Sequence, residues 1–447
     1  MANSPTIVVR KKPEQREDKP KKFVFGKESV YFPPNSSLIA DFRQSAFDQY
    51  QQMQFPNQSE EAWRRTPLTK FNPDIFGIKP SNFNGKVYKA IGKIVNDERV
   101  EKSGQLVVDS NSTRVMVRDE LQQKGVILTD LRNAEREFPH LVERVIAALN
   151  PASNDIFMAM ARAFAQNGVI LYIPKGVRLD NPIHTLFIHD GGNSAFITNL
   201  YIILEEDTSA SLIHEMLSPP EIKTEGLHIG EIFIMVGERA NFTFYELQNW
   251  AESIWNFTHE KIIAKENSSV EWVINGLGSK LTKSFINLDL VGKNSAGKVS
   301  GITFSHHQQH LDYDTQQNHL AMQTQSDLIF KSGLKDESRT IWQGMIFVAP
   351  GALKTDGYQL NRNLVLSQNA RVDSIPGLEI LADDVRCSHG MSVSTVDSEQ
   401  IFYLKSRGIP QDEANRMIVE GFFDPILQKI PYPPIRNRFK SYLINKL

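Results

Sequence analysis

A single cysteine, Cys387, stands in the whole 447-residue sequence. That scarcity excludes an internal disulfide framework and a self-contained multi-cysteine zinc site, and it fits a reducing compartment. Charge of one sign is also lacking. The formal net charge of −2 gives no overall pull toward nucleic acid or anionic membrane. No apolar run approaches the roughly 18 residues that span a bilayer, and no apolar stretch follows the N-terminal charges as a secretory signal requires. These absences predict a cytoplasmic protein. Catalytic signatures are missing as well: there is no Gly-x-Ser-x-Gly elbow, no His-Glu-x-x-His and no nucleotide fingerprint. The stretch from Gly292 to Lys298 resembles a phosphate-binding loop, but Val299 occupies the place of the magnesium-holding Ser or Thr. A β-like run follows it instead of a helix. It reads as a turn, and no ATP is expected on this chain. Asp383 and Asp384 are strand neighbours on opposite faces, a poor arrangement for paired acid–base work.

What is present is an ordinary globular balance, 40% hydrophobic and 23% charged, in a chain long enough for two or three domains. Residues 1–35 read as a flexible arm with basic clusters at Arg10-Lys11-Lys12 and Lys19-Pro20-Lys21-Lys22 and no apolar period. Residues 36–167 read as helical. Leu38, Phe42, Ala46 and Tyr50 recur every four positions after the capping Ser36-Ser37. A second helix is expected from Asp130 to Leu149, and a third from Ser153 to Gln166.

At Gly168 the period changes to two, and short strands with Gly, Asn, Asp and Ser breaks continue to 396. A polar turn followed by a small residue recurs at Ala210, Ala240, Ser269 and Ala296, in steps of 30, 29 and 27, and again at Ala352 and Ala370. Repeats of that length in a β-rich chain predict a stacked β-helix, with a sandwich as the alternative. Helical signals return over 397–447: Asp397 with Gln400 as a cap, Gly408 as a stop, and a final helix carrying Ile435, Phe439, Tyr442 and Leu443. Such short amphipathic helices need a surface, either the end of the solenoid or another protein.

Two clusters carry possible chemistry. His306, His307, His310 and His319 surround Asp312 and Asp314, and one strand would put His306, His310, Asp312 and Asp314 on one face. A polar surface strand is the simpler reading. Cys387 and His389, two apart, share a strand face with Val385, a soft-ligand pair in which a protonated imidazole would lower the thiol pKa. A packed structural pair is the alternative. One Cys and one His cannot complete an iron–sulfur site, so any further ligands must come from another chain.

The segment 377–390 (GLEILADDVRCSHG) resembles the hallmark of the SufB/SufD family of the SUF iron–sulfur cluster assembly system, its SufD branch in particular. The segments 400–409 (QIFYLKSRGI), 354–367 (KTDGYQLNRNLVLS), 61–68 (EAWRRTPL) and Gly421-Phe422-Phe423 are similar to that family too. The resemblance runs over roughly 40–430. It implies a mainly β chain: a right-handed parallel β-helix core (168–396) between N-terminal and C-terminal helical regions. It implies a non-catalytic scaffold subunit that pairs with SufB through the β-helix and binds the ATPase SufC through the C-terminal helices. The nascent cluster would sit at the shared interface with His389 as a ligand and Cys387 beside it; the resemblance leaves flavin in the complex open. SufB itself is the runner-up identity, but its cysteine-bearing segment would fall near Arg362–Gln368, where this chain has Leu366-Ser367. Competing functions are a β-helix lyase or acyltransferase, and a passive solenoid.

Overall fold

The computed structural model describes residues 22–78, 86–95, 97, 99–109, 113–219 and 221–447. The basic clusters at 10–12 and 19–21 lie outside the described residues. The helices are α1 (Ser37–Gln52), α2 (Lys86–Val95), α3 (Asp119–Gln123), α4 (Leu131–Glu137), α5 (Pro139–Ala148), α6 (Ile156–Phe164), α7 (Ser398–Ser406), α8 (Gln411–Leu427) and α9 (Pro433–Ile444). The first strands are β1 (Gly104–Asp109), β2 (Thr113–Val117), β3 (Ile127–Asp130), β4 (Asn167–Ile173), β5 (Ile183–Ile188), β6 (Ala195–Leu204) and β7 (Ser209–Leu217). Next come β8 (Gly226–Val236), β9 (Asn241–Asn249), β10 (Ile254–Ala264), β11 (Ser269–Gly276), β12 (Leu281–Leu290) and β13 (Ala296–Ser305). The last are β14 (His310–His319), β15 (Gln325–Leu334), β16 (Arg339–Val348), β17 (Asp356–Val365), β18 (Arg371–Ile380) and β19 (Arg386–Thr395).

From β4 onward successive strands alternate between two sheets, and each strand pairs in parallel with the strand two places on. That is a parallel β-solenoid, not a sandwich of antiparallel strands. One coil is two strands and two corners. Side chains alternate inward and outward, so Ile262, Leu288 and Trp342 fill the lumen while Phe257 and Leu281 face out.

The corners explain the sequence repeat. At the turn before β7, β9, β11, β13, β15, β17 and β19 stands a non-glycine residue with positive φ: Asp207, Arg239, Asn267, Asn294, Gln323, Lys354 and Asp384. At five of these corners a Ser or Thr follows the strained position, and its hydroxyl donates to the carbonyl three residues back. These are Thr208 to Glu205, Ser268 to Lys265, Ser295 to Gly292, Thr324 to Ala321 and Thr355 to Ala352, all at 2.6–3.2 Å. These hydroxyls are buried, so each satisfies a corner carbonyl that water cannot reach. The stretch resembling a phosphate loop is one of these corners. A side chain at Gly292 would strike the backbone of Glu266 in the coil below, which accounts for the glycine.

Both outer faces of the solenoid are covered. α1, α5 and α6 pack on one sheet through Phe157, Phe164 and Val145 against Ile229, Phe233 and Phe257, whose ring stacks on Phe157 at 3.8 Å. α8 and α9 pack on the other sheet through Val419, Phe423, Ile435 and Phe439 against Ile213, Leu247 and Phe304. α8 and α9 thus cover a flank of the solenoid and not its end.

Three expectations are corrected. The loose arm gives way before residue 35: Phe23, Phe25 and Val30 are buried, and Phe23 stacks on Phe25 at 5.3 Å. The helical stretch 36–167 also contains β1–β3, because short buried runs such as 104–109 show no helical period to read. The single helix expected from Asp130 to Leu149 is two, broken at Phe138, because Pro139 lacks the N–H and its ring clashes with a continuing helix. The caps expected at Ser36 and Asp397 form, and Gly408 ends α7 with φ +86°.

Candidate functional site

β19 lies on β17 in parallel register, with Gly357 opposite Cys387 and Gln359 opposite His389. Register partners in stacked coils point the same way. Gln359 is wholly buried, and its amide donates to the carbonyls of Gly344 and Gly377 at 3.4 and 3.0 Å. Cys387 and His389 therefore belong to the inward row of the last coil, followed by Met391 and Val393. On β18 the inward row is Val372, Ser374, Pro376, Leu378 and Ile380, in register with the buried Thr340, Trp342, Gly344, Ile346 and Val348.

Inward residues of earlier coils are sealed by the next coil. These are not. Leu378, Ile380, Met391 and Val393 are 37%, 40%, 49% and 51% exposed. Inward-pointing apolar residues with that exposure mark an uncapped end. Among the described residues no strand pairs with the free edges of β18 and β19.

Cys387 is half-buried against the Ile346–Val348–Ala352 cluster, on which Ala382 and Val385 also pack. Burial pushes its thiol pKa up, against the smaller opposing effect of a backbone hydrogen bond from Gly357. This reverses the expected lowering by a neighbouring imidazole: desolvation of the thiolate dominates, and the nearby charge of Asp356 acts in the same direction. His389 is exposed at the end.

Gly357 leaves a gap between Cys387 and the interior. A methyl there would lie 3.2 Å from His319 Nε2 and 3.3 Å from Cys387 Sγ. His319 is fully buried, with Nδ1 2.7 Å from the Thr324 hydroxyl and Nε2 2.8 Å from that of Ser326. Burial pushes its pKa down to about 4, so the imidazole is neutral at pH 7.

The polar lining continues through the lumen. His228 contacts Thr198 at 2.9 Å and Asn256 at 2.6 Å, and Asn256 donates to Thr282 at 3.3 Å. Glu260 accepts from Thr258 at 2.7 Å and Ser284 at 2.8 Å. It also faces Glu246; burial raises both carboxyls, and for Glu246 the like charge of Glu260 adds to it. Sequence reading missed this inward row. With both sheet faces covered, strand alternation does not tell polar-in from polar-out.

The histidine set at 306–319 divides into three. His306 and His307 sit in the corner before β14 beside Glu252. His310, Asp312 and Asp314 share the outward face of β14, while His319 points inward. The expectation that His306 would join that outward face fails because the strand begins only at His310. Asp312 and Asp314 both accept from buried Lys283, at 3.0 and 2.9 Å. Burial beside Asp312 pushes Asp314 up to about 7. Thr66 bonds to Asp312 and lies 2.9 Å from His310 Nε2. Trp63 packs on Phe157, Phe257 and Phe285. The 61–68 segment is thus a strap across the outer sheet, with a structural reason for each of its Trp and Thr.

Comparison with known proteins bears on residues 24–422. Residues 187–422 match the family described as "SUF system FeS cluster assembly, SufBD core domain", and residues 24–185 match the "SufBD protein N-terminal region". An "Iron-sulfur cluster assembly SufBD family protein" of Staphylococcus epidermidis is 33% identical over 315 residues, covering 70% of this chain and 67% of its own length. Proteins of the same description from Staphylococcus saprophyticus and Staphylococcus aureus are each 32% identical over the same coverage. Solenoid, flanking helices and both family matches agree: this chain belongs to the SufBD family of iron–sulfur cluster assembly proteins.

Proposed function

We propose that the chain is a SufD-type, non-catalytic scaffold subunit whose open last coil is completed by SufB, with His389 and Cys387 contributing to the site where the nascent cluster forms. The observation that carries this reading is the uncapped end. It presents two 10-residue strands whose outer edges are unpaired among the described residues, and unpaired edges of that length recruit another chain. On that same end the only cysteine of the sequence and a histidine stand side by side. A cluster needs more ligands than these two, so the rest come from whatever covers the end. The SufD-type assignment rests on the Cys387-Ser388-His389 segment together with Leu366-Ser367.

The SufC ATPase engages the C-terminal helices in this proposal. α7 supports it: the helix buries none of its residues, and Phe402 and Tyr403 are 74% and 56% exposed. Apolar rings held out on an ordered helix fit a docking surface. The nascent cluster is cargo, built at the interface and passed on.

The deciding experiment is His389→Ala in cells, with anaerobic co-purification of the complex. The expected result is loss of cluster maturation while SufB and SufC still co-purify. Normal maturation in the variant would sink the assignment of His389, and loss of the partners would make its role structural.

A further inference from the structure

A second group of ligand-type side chains lies away from the open end, at the corners before β10 and β14. Glu252 belongs to the first corner and His306 and His307 to the second, two coils on. Their ligand atoms all lie within 4.8 Å of one another. The site and the last coil are separated by three strand steps, from β13 to β19, or about 15 Å along the stack.

Adjacent residues on a strand point apart, and here they do not. His307 has φ +51°, which turns its ring beside that of His306, with centroids 4.2 Å apart. The backbone of both is fixed from outside. Asp336 in the next coil accepts from the His307 amide at 2.9 Å, and buried Gln309 accepts from the His306 amide at 3.2 Å. Gln309 is itself anchored by donating to the Ser279 carbonyl at 2.6 Å. A positive φ at a non-glycine residue is strained, and this corner holds that strain in place with charged and buried partners.

The side chains then converge on one carboxylate. His307 Nδ1 lies 3.0 Å from Glu252 Oε2, and His306 Nε2 lies 2.7 Å from Oε1. The His306 contact lacks hydrogen-bond geometry, which leaves Nε2 as a buried nitrogen with no hydrogen-bond partner. Close approach without that alignment is what ligands aimed at a shared point produce. Cavities of about 480 and 730 Å³ open on either side of Glu252, so the group is reachable and leaves room for further ligands. Lys446 stands nearby, its amine donating to the Gln309 side chain at 3.0 Å.

We propose that Glu252, His306 and His307 form a binding site for one divalent first-row transition ion. Two imidazoles and a carboxylate with open positions are the donor set used for Zn(II) and non-haem Fe(II). This goes beyond the cluster-site reading and does not depend on it.

The test uses the full chain, stripped with chelator and titrated with Co(II), then with Zn(II), and with Fe(II) under anaerobic conditions. The expected result is one tight equivalent, with visible Co(II) bands that Zn(II) displaces. Fe(II) displacing the same bands assigns both metals to the site. His307→Ala changes an exposed residue, and Glu252→Gln keeps the shape; each should weaken binding at least about 100-fold with an unchanged thermal melt. The double variant Cys387→Ala/His389→Ala should keep the equivalent. Absence of a tight equivalent in the wild type, its survival in both Glu252→Gln and His307→Ala, or its loss in the double variant would each overturn the proposal.

Discussion

The two ends of the solenoid are finished differently. At the first coils, β1 is flanked by β2 and β4 by β3, both antiparallel, so the chain folds back on its own edges. Those outer strands are only 5 and 4 residues long. At the last coil two 10-residue parallel strands stop with no strand beyond them among the described residues. The coil geometry is the same at both ends, so stacking does not decide which end is closed. What decides it is whether nearby sequence supplies a short antiparallel strand or goes off into helices that pack on a flank. A repeat protein needs a cap at each end; one end here carries its own, and the other is shaped to receive one.

That contrast predicts unequal costs for comparable damage. Trp272 is wholly buried in the lumen and donates to Glu246 at 3.2 Å. Trp272→Ala should cost about 3–5 kcal/mol in denaturant unfolding. Met391 also points inward but lies at the open end, and Met391→Ala should cost about 0.5 kcal/mol or less in the isolated chain. Similar losses for the two would mean that the last coil is already sealed.

Acid should act on the sealed part next. Burial holds His189 and His214 near 3 and His228 and His319 near 4, all inside the lumen. Unfolding exposes them to an ordinary pKa of about 6.5. Between about pH 6.5 and 4 the unfolded chain therefore binds protons that the folded chain refuses, and stability falls as pH falls. Glu246 and Glu260 work the other way, because the folded state holds their protons above the unfolded carboxyl range. Outside the lumen, His310 near 4 and Asp314 near 7 oppose one another. Four histidines against two carboxyls leave a net fall in stability as pH falls through this window. Melting temperature against pH measures it, and a flat profile down to pH 5 would contradict the neutral interior.

The smallest effect on the isolated chain should accompany a large effect on assembly. Met391→Asp should leave the melt of the chain alone within about 1–2 °C, since the residue is half in water. It should also weaken capture of the partner that covers the end, because a carboxylate there must be desolvated. Pull-down from cells with and without the substitution checks it.

Much of this was legible, and the parts that were not share a cause. The corner repeat showed in the sequence because positive φ and buried carbonyls demand particular residues at Asn267-Ser268 and Asn294-Ser295. Cys387 and His389 drew notice by rarity and by a spacing of two. The strands at 104–130 were hidden by brevity. The lumen polarity was hidden because both faces of most of the central strands are covered. Glu252 could not be linked to His307, since 55 residues separate them and only stacking brings their corners together. The open end was invisible for the same reason, because exposure belongs to the finished stack.

The strap at Trp63 and Thr66 has a consequence for how the chain is made. Thr66 binds Asp312, 246 residues later. At about 5–20 residues per second, the ribosome needs about 10–50 s to supply that partner. Trp63 and Phe71, both buried in the finished fold, gain their outer-sheet partners somewhat sooner, when Trp255, Phe257 and Phe285 have been made. The 61–71 segment must wait through most of that interval with its aromatic face uncovered by the outer sheet, which makes the nascent chain a client for whatever shields apolar surface during synthesis.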